Sequence, residues 1–264
     1  MTSESKHIVL GAKKLTIGYF RKKQADVVSS NINFLLAEGE LVALVGTNGI
    51  GKSTLLRTIS GMQPIMKGAV HLKEKDLNSY TALQLAHYLS VVLTETPASK
   101  NLTVLELVSL GRQPYTNWMG KLSQEDKKIV TIALESTNTS GLSNNKCFEL
   151  SDGQLQRVYI ARALAQDTPI IILDEPTTHL DLYHRASILK LLKNLASETK
   201  KTILFSTHEI DLAIQLSDKM LVMTPEATYF DTPTDLIKAG RFDALFPKEM
   251  IHFDPETGRF TIKN

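Results

Sequence analysis

The sequence has a single cysteine, Cys147, in 264 residues. A disulfide framework is therefore excluded, and a reducing compartment fits. No stretch approaches the ~20 apolar residues of a membrane span, so any role at a membrane has to run through a partner. The stretch MTSESKHIVL has no apolar core of the signal-peptide kind, and no such leader is expected. Charge of one sign is missing as well: 30 Lys and Arg stand against 28 Asp and Glu, a formal net charge of +2. That field is too weak to gather nucleic acid. The basic groups Lys13-Lys14, Arg21-Lys22-Lys23, Lys127-Lys128 and Lys200-Lys201 are scattered and read as solvated faces. Internal repeats and sustained heptads are absent, which leaves out solenoids and long coiled coils.

What is present is a core and a rhythm. Hydrophobic residues make up 42% of the chain, enough for one large α/β domain or two small ones. Short apolar runs alternate with helical patterns, the mark of a largely parallel sheet. KLTIGYF and NINFLLA read as an early strand pair joined by the polar loop RKKQADVVSS, and LVALV (41–45) as a buried strand. A helix from Lys52 to Ser60 is stopped by Gly61, QLAHYL is helical, and SVVLT (90–94) is a strand. From Glu95 to Leu150 there is no convincing buried strand. Thr103–Leu110 and Ser123–Glu135 have helical spacing, and STNTSGLSNN is a polar loop, so this stretch reads as a helical insertion. The rhythm then resumes with a helix at Ser151, strand IIIL (170–173), helix Tyr183–Ala196, strand TILFST (202–207), a helix from Glu209 and strand MLVM (220–223). The tail ends in an expected hairpin, MIHFD-PETG-RFTIK.

Three stretches carry chemistry. Gly46-Thr47-Asn48-Gly49-Ile50-Gly51-Lys52-Ser53 satisfies G-x-x-x-x-G-K-[ST] between a buried strand and a helix start, which is where such a loop works. Its glycines let backbone amides turn toward phosphate oxygens. Lys52 can reach the β- and γ-phosphates, and the Ser53 hydroxyl can ligate Mg²⁺. Ile50, β-branched among the glycines, is accommodated if its side chain points outward. In IIILDEP, Asp174 and Glu175 end a buried strand. Two adjacent like charges make a poor structural motif but a good site for a metal and a water: Asp174 holds Mg²⁺ and Glu175 polarises the attacking water. In LSDGQLQR, Ser151 reads as a helix N-cap followed by Gly153, a second anion site on a chain that already has a better one.

Taken together, the phosphate loop, LSDGQ and LDEP resemble the ATPase subunit of an ATP-binding cassette transporter, over nearly the whole chain. The resemblance implies an α/β fold: a P-loop NTPase core with a mainly parallel sheet, an antiparallel β subdomain and an inserted helical subdomain. It divides the chain into 1–94 (core with the amino-terminal antiparallel part), 95–150 (helical insertion running into the signature) and 151–264 (remainder of the core and a carboxy-terminal extension). It implies ATP and Mg²⁺ as cofactors, with Gly46 through Thr54 on the phosphates. LSDGQ matches the family signature through Ser151, Gly153 and Gln154, with Asp152 where a glycine is commoner. THLD resembles the loop that crosses the dimer interface through Asp181, and STHE places His208 as the switch histidine on the γ-phosphate. Tyr19 resembles the aromatic that stacks on adenine; on the residues alone the alternative is a core or edge tyrosine.

The resemblance also gives the second anion site a purpose. In this family two subunits pair head to tail, and the Ser151 helix of one caps the γ-phosphate held by the loop of the other. The implied partners are a second copy of the chain, transmembrane permease subunits and, through them, an extracytoplasmic binding protein, with no nucleic acid. The implied place is the cytoplasmic face of the membrane. GRQPY followed by LSQED is similar to the ATPases that drive uptake of ferric siderophores, haem and cobalamin. A soluble cassette acting on ribosomes or DNA would carry two cassettes or a long coiled coil, and a P-loop kinase or GTPase has no reason to carry LSDGQ. One position departs from the family: Thr94 stands where a metal-reaching glutamine is usual, and it is expected to reach Mg²⁺ through a bridging water.

Overall fold

The computed structural model describes residues 7–21, 24–93, 101–246 and 251–262. In chain order the amino-terminal half contains β1 (Ile8–Arg21), β2 (Gln24–Ala37), β3 (Leu41–Gly46), α1 (Lys52–Ile59), β4 (Lys67–Leu72), β5 (Lys75–Asp76), α2 (Ala82–Ala86), β6 (Leu89–Val92), α3 (Val104–Ser109) and α4 (Gln124–Ser136). The carboxy-terminal half contains α5 (Asp152–Ala165), β7 (Ile170–Leu173), α6 (Leu182–Thr199), β8 (Thr202–Ser206), α7 (Ile210–Leu216), β9 (Lys219–Met223), β10 (Thr228–Asp231), α8 (Pro233–Lys238), β11 (Ile251–Asp254) and β12 (Arg259–Ile262).

A six-stranded sheet runs β10-β9-β3-β8-β7-β6, parallel throughout except for the β9–β10 pair. Its inner strands are continuous apolar runs because both of their faces are covered. Alternation sorts the residues between two cores. Leu41, Ala43 and Val45 of β3 join Ile171, Leu173, Ile203, Phe205 and the helices α3 to α6 in one cluster. Val42 and Leu44 join Ile170, Ile172, Leu204 and the antiparallel sheet in the other. That second sheet, β2-β1-β4-β5, is antiparallel and lies over α1 and the opposite face.

The strand–helix rhythm thus gives the fold class expected. Two local expectations fail. RKKQADVVSS is mostly strand: β2 starts at Gln24, and Asp26 pairs with Tyr19 and Val27 with Gly18. Its polar composition belongs to an edge strand with one face in water, where Val27 is exposed. β4, which the sequence pattern did not reveal, is short and has a glycine, Gly68, at its second position. Among described residues 101–150 there is only an isolated bridge, Thr103 to Lys146, and no strand. The terminal hairpin forms from Ile251, and its expected ends at 250 and 263 lie outside the described residues, as does the expected end of β6 at Thr94.

Candidate active site

The phosphate loop leaves the end of β3, whose six residues are all buried, and enters α1. Gly51 caps α1 with φ at 110° and no side-chain hydrogen bond, so the first amides of α1 are not taken by a cap. A Cβ at Gly51 would also fall 2.4 Å from Val28 Cγ1, so that position tolerates only glycine on two counts. Ile50 does not point outward: it packs with Val28 against the core, and its Cγ2 lies 2.9 Å from where a Cβ on Gly46 would stand. Lys52 is buried, and its Nζ donates to the carbonyls of Gly46 (2.9 Å) and Thr47 (3.2 Å). Burial lowers the pKa of this ammonium, while Glu175 and Asp174 pull it back up. The Tyr19 hydroxyl lies 2.8 Å from Thr54 Oγ1, fixing the ring beside α1 with 41% of the residue exposed.

The acidic pair stands at the end of β7, next to β8. A single hydroxyl holds both residues: Ser206 Oγ donates to Asp174 Oδ1 (2.7 Å) and accepts from the Glu175 amide (2.8 Å). Glu175 turns out of the strand with φ at 50°, a left-handed backbone that costs a side chain ~1–3 kcal/mol. Its Oε1 receives His208 Nε2 at 2.7 Å, and its Oε2 receives the Thr178 hydroxyl at 3.0 Å. Burial pushes the Glu175 carboxyl up. The His208 bond and charge, the Thr178 bond and Lys52 together outweigh that and hold it below the usual carboxylate range. His208 therefore meets the carboxylate directly. Sequence reasoning missed Ser206 and Thr178; Ser206 immediately precedes THE, but nothing in a lone strand-end serine marks it as the clasp of a neighbouring strand.

Ser151 caps α5 in a reciprocal box: its hydroxyl accepts from the Gln154 amide (3.4 Å), and Gln154 Oε1 accepts from the Ser151 amide (3.0 Å). Asp152 and Gln156 of α5 share one cleft with Leu93, Asp174, Glu175 and Thr178. A second cleft joins Asn48 of the loop to Glu175 and His208. Asp181 caps α6, is largely exposed, and accepts from the His184 amide at 2.8 Å. Thr94 lies outside the described residues. Ser53 and Asp174 are hard oxygen donors, the kind Mg²⁺ takes. No group of three or more His, Cys, Asp or Glu gathers among the described residues.

A phosphate-loop sequence at the end of a buried strand, an acidic pair and a serine-capped helix start thus occur in one chain, and the ABC transporter family matches residues 29–178. The chain belongs to the ABC transporter family. It is 39% identical over 236 residues to the achromobactin transport ATP-binding protein CbrD of Dickeya dadantii, covering 89% of this chain and 86% of that one. It is 38% identical over 214 residues to the iron(3+)-hydroxamate import ATP-binding protein FhuC of Bacillus subtilis, covering 81% and 78%. Its fold superposes with a TM-score of 0.72 on the dimeric, post-hydrolysis ATP-binding cassette MJ0796 bound to ADP and phosphate, at 29% identity, covering 85% and 98%. This ABC chain is an ATPase: it binds ATP and hydrolyses it to ADP and phosphate.

Within this ABC ATPase, GRQPY and LSQED prove to be two halves of one clamp. Arg112 donates through Nε to Asp126 Oδ1 (2.8 Å) and through Nη1 to the carbonyl of Ala165 (2.9 Å), the last residue of α5. A cation suits the carbonyl end of a helix. Gly111 lets the chain come this close, since a Cβ there would fall 2.3 Å from the Arg162 carbonyl. Ser123 and Asp126 cap each other at the start of α4. The clamp grips the end of α5 opposite Ser151.

Proposed function

We propose that this ATPase powers an importer for an iron–siderophore, haem or cobalamin type of cargo. CbrD and FhuC, which serve achromobactin and iron(3+)-hydroxamate, support the iron–siderophore choice within that group. It works as a head-to-tail pair on the cytoplasmic face of the membrane, docked on transmembrane permease subunits that receive cargo from an extracytoplasmic binding protein. No described helix is long and apolar enough to cross a membrane, which agrees with a peripheral subunit. In this reading the chain divides at 1–94, 95–150 and 151–264, as core, helical insertion, and remainder with its extension.

The observation that carries the paired reading is the contrast between two helix N-termini. α1 is uncapped by any side chain and adjoins buried Lys52, whereas α5 ends in an exposed Ser151 and lies near an exposed Asp181. The first holds its own chain's nucleotide; the second serves the nucleotide of the other copy. Gly46 through Thr54 cradle the phosphates, and Tyr19 stacks on the base. Ser151, Gly153, Gln154 and Asp181 complete the partner's site. Ser53, Asp174 and, through a water, Thr94 would hold Mg²⁺, which neutralises charge on the β- and γ-phosphates. Glu175, kept ionised by His208 and Thr178, accepts the proton of the attacking water, and His208 then stands where it can turn from Glu175 to the γ-phosphate. Two composite sites follow from the two-fold axis.

Lys52→Ala and Ser151→Arg test the pairing. Each alone should be nearly inactive, while an equal mixture forms heterodimers with one intact site and regains a measurable fraction of the wild-type rate. A mixture no more active than its parts, with heterodimers demonstrated by mass, would overturn it. For cargo, a strain lacking the gene should lose uptake of the ferric siderophore and recover it with the wild-type gene but not with Lys52→Ala.

A further inference from the structure

His184 bridges two motifs that lie apart in sequence. Asp181 Oδ1 accepts from the His184 amide and faces its ring Nδ1, each at 2.8 Å. A carboxylate only accepts, so Nδ1 carries the proton and, in the neutral ring, Nε2 does not. The far edge of the ring lies on the signature helix: a Cβ built on Gly153 would fall 2.8 Å from His184 Cδ2 and 3.6 Å from Nε2. Gly153 sits within helical α5, so inside this chain it is the imidazole, not the backbone, that excludes a side chain there. One turn along, the same seam is stitched again. Arg157 of α5 donates through Nη2 to Ser187 Oγ of α6 at 2.7 Å, and through Nη1 to the Thr137 carbonyl at 3.2 Å.

We propose that His184 is a positioning residue that ties the Asp181 loop to the signature helix, so that the two elements offered to the second copy's nucleotide move as one body. This rests on the paired reading above. Without the Nδ1 bond the loop before α6 can shift while Ser151 stays in place. The surface presented to the other subunit's γ-phosphate then no longer has one fixed shape, and preorganised donors lose most of their effect when they must reorganise. Binding of ATP to a chain's own loop does not pass through this contact.

Three full-length variants separate bond from packing. His184→Phe keeps a ring against Gly153 and loses the donor; His184→Ala loses both; His184→Asn puts an amide nitrogen where Nδ1 stands. The expected result is a kcat for ATP hydrolysis ~10-fold lower in Phe and Ala, with Asn recovering to within ~3-fold of wild type, the scale of one hydrogen bond to a charged group. The Kd of the monomer for a fluorescent ATP analogue should stay within ~2-fold in all three, which also shows that they fold. Phe at the wild-type rate, Asn as slow as Ala, or a Kd that moves in step with kcat would overturn the proposal. If the Lys52→Ala and Ser151→Arg mixture is active and His184→Phe is unimpaired, this inference alone fails. If the mixture is inactive, the paired reading fails and takes this inference with it.

Discussion

Glu175, the proposed general base, is held by a handful of atoms. Its backbone is left-handed, its amide is held by Ser206, and both carboxylate oxygens are engaged by His208 and Thr178. Glu175→Gln preserves that shape but removes the proposed proton acceptor. Its hydrolysis rate should drop ~10²-fold or more, the usual scale for loss of a general base. ATP should still bind, and gel filtration with ATP and Mg²⁺ should show a persistent dimer; a variant hydrolysing at the wild-type rate would remove Glu175 from its role. Lys52, Asp174 and Glu175 were legible in the sequence because loop and strand-end chemistry needs those residue types at those places. Ser206 and Thr178 were not, because a hydroxyl becomes informative only when a second strand brings the carboxylate to it. His184 was hidden for a similar reason: its partners, Asp181 and Gly153, belong to separate helices.

At the scale of elements, the Arg112–Asp126 pair fixes the helical insertion to the carbonyl end of α5, with both side chains over nine-tenths buried. Arg112→Ala leaves the buried Asp126 carboxylate without its cation, with only the Ser123 bonds, and should cost about 3 kcal/mol in urea unfolding. The pair also sets a pH signature. The Ser123 hydroxyl foremost, then its amide and Arg112, hold the Asp126 carboxyl below its ordinary value against the opposite pull of burial. A depressed folded value means the contribution is complete above the unfolded value of ~3.9 and vanishes as pH falls through the folded one. The stability gap between wild type and Asp126→Asn should thus be flat from neutrality to about pH 5 and close below about pH 4. A gap that instead narrows toward pH 8 would contradict the assignment. Elements with one clear pattern were the readable ones: LVALV, IIIL and MLVM are apolar throughout, and TILFS is apolar between its end residues, because helices and a second sheet cover both faces. DVVSS and KGAVHL mix polar and apolar residues because they lie in a sheet with a wet face. The order of strands was not readable, since it depends on which surfaces meet.

For the molecule as a whole, the terminal hairpin shares the core that also holds α5 and α6. Phe253 is almost fully buried, stacks on Phe242 with ring centroids 4.9 Å apart and meets Phe260 at 5.0 Å. Phe253→Ala should cost about 3 kcal/mol, roughly 10 °C in melting temperature for a chain of this size. Because the cluster is continuous, calorimetry should show one transition moving down. A separate early melt of the hairpin would show that it is an appendage instead.

Strand β3 delivers the phosphate loop, yet its strand neighbours among the described residues are β8 and β9, both in the last quarter of the chain. Even the amide of Leu41 is bonded to an aspartate 177 residues away, Asp218. Pairings this remote in sequence form slowly, after long loops have closed. On the ribosome, the stretch GTNGIGKST therefore emerges long before β8 and β9 and waits for both before it has a sheet to stand on. Nascent chains arrested before Lys219 should be cut by protease at residues 47–51 and fail to retain ATP, while released full-length chains resist and bind. The cell thus makes an ATP site last from a motif it synthesises first, and the unpaired strand in between is a surface for chaperones.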